Sequence, residues 1–98
     1  MIEVKRSGSG LTITGHAGYA PHGQDIVCAG VSALAQTLIA SLETLTQDPI
    51  EYVCQPGTVE IKHGNLSEQG QVLVDSFFVG LRMMAGSYPN NVKLSEHL

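Results

Sequence analysis

Between Asp25 and Pro49, apolar residues recur every three or four positions, at Val27, Val31, Leu34, Ala35, Leu38, Leu42 and Leu45. That spacing predicts an α-helix of about five turns with one apolar stripe. A stripe of that length has to be covered, so the flanking chain must supply a surface for it. Asp25 is a ready N-cap, and Asp48-Pro49 stops the helix because proline cannot continue it.

The flanking segments read as strands. Ile2-Glu3-Val4-Lys5 and Leu11-Thr12-Ile13-Thr14 alternate with period two around Ser7-Gly8-Ser9-Gly10, which predicts an N-terminal β-hairpin. Ile50 to Cys54 and Thr58 to His63 form a second pair around the turn Gln55-Pro56-Gly57. Ser67 with Glu68 opens a second helix, striped by Val74, Phe77, Phe78, Leu81 and Met84, for which Gly86 is the expected C-terminal cap. Val92-Lys93-Leu94 suggests a last short strand. The order ββαββαβ predicts an α+β fold, with two helices packed on one face of a mostly antiparallel sheet. At 98 residues the chain, 1–98, is expected to be one domain.

Charge narrows the function. Five Lys and Arg against nine Asp and Glu give a net charge of −4, so there is no basic footprint for nucleic acid. The N-terminus Met1-Ile2-Glu3-Val4-Lys5 lacks the apolar core of a signal peptide, and the apolar runs fall short of the roughly 20 residues of a membrane span. The expectation is a cytoplasmic protein without membrane contact, whose two cysteines, Cys28 and Cys54, are free thiols.

The chemistry sits in Gly15-His16-Ala17-Gly18-Tyr19-Ala20-Pro21-His22-Gly23-Gln24-Asp25-Ile26-Val27-Cys28. With Asp25 as N-cap, Cys28 falls at the third helical position, near the positive end of the helix dipole and unpaired N–H groups, which favour an anion. His16 ends the second strand and can reach across the loop to take a thiol proton and return it to a leaving amine. The N–H groups around Cys28 are candidate oxyanion donors. Asp25 either caps the helix or orients His16, and Ser32 lies one turn beyond Cys28. Gly15 and Gly23 are candidate loop hinges, because glycine alone adopts positive φ freely.

Blander readings of the same residues stand beside these. A cysteine near a helix start is commonly a small buried hydrophobe, and a loop histidine commonly has a local hydrogen bond. His16, His22 and Cys28 repeat at intervals of six, yet no nearby second cysteine completes the usual zinc pattern, so neither metal nor cofactor is expected. The loop resembles an anion cradle but lacks the lysine and the Ser/Thr of a phosphate loop. Cys54, on a strand beside Val53, reads as a core thiol, and His63 and His97 read as solvated.

Gly15-His16-Ala17, Gly23, Asp25-Ile26-Val27-Cys28-Ala29 and Val31-Ser32-Ala33-Leu34 resemble the signature of the ribosomal-processing cysteine proteases. Gly80-Leu81-Arg82-Met83-Met84-Ala85 with Tyr88-Pro89 is similar to that family's C-terminal helix ending, so the resemblance spans essentially the whole chain. Gly30 departs from it, standing where alanine is expected. The resemblance implies a dyad of Cys28 as nucleophile and His16 as base and then acid, and a homodimer. It also implies a loop that is mobile until substrate binds. The implied substrate is a large-subunit ribosomal protein precursor, which loses an N-terminal extension behind bulky apolar residues. The competing reading is a non-enzymatic, ribosome-associated binding module of the same fold.

Overall fold

The computed structural model describes residues 1–96. The chain forms β1 (Ile2–Ser7), β2 (Gly10–Thr14), α1 (Ile26–Leu45), β3 (Ile50–Gln55), β4 (Thr58–His63), α2 (Glu68–Ser87) and β5 (Val92–Glu96). Two helices pack on a five-stranded mixed sheet of order β3-β4-β2-β1-β5. Every neighbouring pair is antiparallel except β1 with β5, where Ile2 aligns with Val92. His97 lies outside the described residues.

Alternation fixes which sheet face carries the helices. Ile2 and Val4 of β1, Leu11 and Ile13 of β2, Ile61 of β4 and Val92 of β5 are buried under Val27, Val31, Ala35, Leu38 and Leu42 of α1 and Val74, Phe77, Phe78 and Leu81 of α2. Arg6 reaches over the far end of this core. Its guanidinium lies 4.5 Å from the Phe78 ring centroid and 2.8 Å from Asp75 Oδ1. Among the described residues α1 would qualify by length and composition to cross a membrane, which the apolar-run argument overlooked, but its stripe is core here.

Four expectations are corrected. Cys54 is exposed rather than core. It shares the inner face of β3 with Tyr52, opposite Val59 and Ile61 of β4. Five strands at about 4.8 Å are wider than two helices about 10 Å apart can roof, so the edge strand β3 stays bare. Leu45 is 66% exposed, because a helix of about 30 Å overhangs strands of five or six residues; Ile39 joins the core instead. Gly86 does not cap α2, which runs on to Ser87 and is capped by Tyr88. Pro89 forces that stop, since the residue before a proline is pushed out of helical conformation. His63 is half-buried, with Nδ1 2.8 Å from the Gly64 carbonyl oxygen. Gly30 lies where a Cβ would come 3.0 Å from Met84 Cε, the end of a flexible side chain that can give by a few tenths of an ångström.

Candidate active site

The segment from β2 to α1 is pinned at both ends. Gly15, at φ +92°, turns the chain out of β2 and donates its N–H to the Gly57 carbonyl at 2.9 Å. A Cβ at Gly15 would strike the Met1 carbonyl oxygen, so only glycine fits there. The next residue, His16, lays its imidazole over the β3–β4 turn, where a Cβ on Gly57 would stand 3.0 Å from Nε2. Its carbonyl accepts from the Met1 amino nitrogen at 2.6 Å.

At the far end Asp25 caps α1 and ties the loop to it. Its Oδ1 accepts from Val27 and Cys28 N–H at 3.0 Å each, and Oδ2 accepts from Tyr19 and Ala20 N–H at 3.0 and 3.3 Å. These bonds, the one from Cys28 foremost, hold the Asp25 carboxyl below its ordinary pKa against a smaller opposing effect of desolvation. With both oxygens engaged by backbone, the carboxylate does not bond to the His16 ring. The same bonds occupy the donors expected to hold an oxyanion: Val27 and Cys28 N–H go to the Asp25 side chain, and Ala29 N–H goes to the Asp25 carbonyl.

Cys28 is half-buried at the third position of α1. Its Sγ accepts from Ala17 N–H at 3.2 Å, and the His16 imidazole is not among its hydrogen-bond partners. His16 is exposed, and hydrogen bonds of active-site groups often tighten only around substrate. His16, Cys28, Asp25, Ser32, Gly15 and Gly23 all line one cavity of about 580 Å³, walled by Ile2, Ile13, Val31 and Val59. Gly23 stands at φ +87° with open space around it. His22 also reaches the cavity, but among the described residues no three metal-ligating side chains converge.

The family model for the cysteine protease Prp matches residues 1–93. The chain belongs to the Prp family of cysteine proteases. It is 27% identical over 93 residues to the ribosomal processing cysteine protease Prp of Bacillus subtilis, covering 88% of this chain and 83% of that one. With the Prp of Mycoplasma genitalium it shares 31% over 98 residues, covering 98% and 96%. A crystal structure of the Prp of S. aureus with a covalently linked product peptide has the same fold, with a TM-score of 0.88 at 21% identity over 98% of this chain and 97% of that one.

As a Prp-family member the protein is a cysteine peptidase. Sequence reasoning missed three parts of its cavity surroundings. Gly57 read only as a turn residue, yet it seats the His16 ring. Asn91 gave no signal, yet its Nδ2 donates to the Ala17 carbonyl at 3.0 Å across 74 residues of chain. Tyr19 and Tyr88 meet edge to face, with ring centroids 5.5 Å apart.

Proposed function

We propose that this peptidase removes the N-terminal extension of a large-subunit ribosomal protein precursor in the cytoplasm, with Cys28 as nucleophile and His16 as base and then acid. The observation that carries the reading is that these two side chains, from opposite ends of one loop, line the same largely apolar cavity. His16 takes the thiol proton, and Sγ attacks the scissile carbonyl carbon to form a C–S bond. The imidazolium then protonates the leaving amine as the C–N bond breaks. Water activated by His16 hydrolyses the thioester and restores the thiol. Asp25 keeps the loop on the start of α1, and Ser32 lines the floor one turn past Cys28. The apolar walls suit bulky apolar residues before the cut.

A homodimer is part of this proposal. Val72, Val79 and Met83, 62%, 54% and 70% exposed, form an apolar stripe along α2 that a second copy would cover.

The test incubates the protein with a precursor peptide spanning the extension and follows the products by mass spectrometry. A single cut behind the apolar residues, abolished in Cys28→Ser and slowed about 10²-fold or more in His16→Ala, is the expected result. An intact peptide, or cleavage that survives Cys28→Ser, overturns the proposal.

A further inference from the structure

Ala17 is gripped on both sides. Its N–H points at Cys28 Sγ (3.2 Å), its carbonyl accepts from Asn91 Nδ2 (3.0 Å), and its methyl is buried with 2% exposure. A carbonyl only accepts, so the amide end of Asn91 must face it. Asn91 is itself fixed by its backbone, whose N–H donates to the Tyr88 carbonyl at 2.9 Å and whose carbonyl accepts from Ile2 N–H at 2.8 Å. The turn between α2 and β5 is therefore a rigid post from which one side chain reaches into the loop beside the thiol.

We propose that Asn91 is a positioning residue of this site: by holding the Ala17 carbonyl it keeps the Ala17 N–H aimed at Cys28 Sγ. The aim matters because the donors of the α1 N-terminus are occupied by Asp25, which leaves Ala17 N–H as the hydrogen-bond donor that the structure places on the sulfur. A bond to an anionic acceptor is roughly twice as strong as one to a neutral acceptor, so this donor steadies the sulfur as it turns nucleophile. Without Asn91 the Ala17 peptide is free to turn, and that hold is lost. The inference rests on Cys28 being the nucleophile, as proposed above.

The test compares iodoacetamide alkylation of Cys28 at fixed pH in wild type, Asn91→Asp and Asn91→Gln, all carrying Cys54→Ser so that one thiol reports. Asn91→Asp keeps the shape and removes the donor, but it adds a negative charge that by itself disfavours a nearby thiolate. The neutral Asn91→Ser is therefore run beside it and must slow alkylation too; Asn91→Gln keeps the amide. Losing a bond of this kind is expected to slow Cys28 alkylation about fivefold in Asn91→Asp. Asn91→Gln should recover part of the rate. On the peptide substrate, kcat should fall while KM holds. A merely structural Asn91 gives the opposite sign: a loosened loop uncovers the half-buried thiol and alkylation speeds up. A faster or unchanged rate overturns the inference. Should Asn91→Asp not fold, Asn91→Ser against Asn91→Gln carries the same contrast. Because alkylation needs no peptide, failure of the proposed cleavage leaves this outcome separately readable.

Discussion

Gly57→Ala separates a turn residue from a seat for the imidazole. Gly57 closes the β3–β4 turn at φ +76°, and a Cβ there would stand 3.0 Å from His16 Nε2. The first cost is in the backbone, because a residue with a Cβ in the left-handed region loses about 1–2 kcal/mol. In a domain of this size each kcal/mol lowers the melting midpoint by about 4–8 °C. The second cost falls on the ring. Non-bonded heavy atoms rest at about 3.5 Å or more, so the imidazole must recede by about 0.5 Å. A 1 Å misplacement of a catalytic group costs on the order of 10²-fold, so half of that costs about tenfold in kcat/KM. Gly18→Ala is the control, since Gly18 has a similar φ of +68° and open space where its Cβ would go. The assay is kcat/KM on the precursor peptide with thermal unfolding, for wild type, both glycine variants and His16→Ala. Both glycine variants should melt early, with Gly57→Ala alone moving about tenfold toward the His16→Ala rate. If Gly57→Ala melts early yet cleaves like wild type, or the two variants lose cleavage equally, the seat argument is refuted.

The carboxyl of Asp25 titrates below its ordinary value of 3.8, chiefly through the Cys28 N–H, so its stabilising effect is complete above that value and fades as pH falls through the lowered one. Melting curves taken down to about pH 2 should therefore show a steeper acid loss in wild type than in Asp25→Asn. Phe78 is fully buried and also carries Arg6 on its ring, so Phe78→Ala should lose about 3–5 kcal/mol in urea unfolding, against about 1 kcal/mol or less for Val79→Ala on the exposed side of α2. Exposed Cys54 should be alkylated in the folded protein, and Cys54→Ser should cleave at the wild-type rate; a loss of cleavage would bring β3 into the site.

Local patterns made the fold legible. Period-two runs and the Val27–Leu42 stripe specify strands and helix through their own chemistry, and Asp25 and Ser67 mark the helix starts by capping them. The cavity was legible where it is built from one continuous segment, Gly15 to Cys28. What escaped depends on widths and distant contacts. Cys54 is bare because two helices cannot roof five strands, a fact of layer geometry rather than of the residues around it. The donors near Cys28 are occupied because one carboxylate folds back on both loop and helix, and no spacing rule announces that. Asn91 and Gly57 belong to turns far along the chain, and only the sheet order brings them to His16 and Ala17.

The parallel pairing of β1 with β5 joins residues 90 apart, from Ile2 with Val92 onward. Synthesis delivers the chain from its N-terminus, so a growing polypeptide holds Cys28 and His16 long before it holds β5. Until Tyr88 and Asn91 emerge, Tyr19 has no ring to lean on and the Ala17 carbonyl has no amide. β1 meanwhile presents an open edge. Pairings this far apart in sequence form slowly. The Ala17 and Tyr19 side of the cavity is thereby incomplete until the turn before β5 has been made.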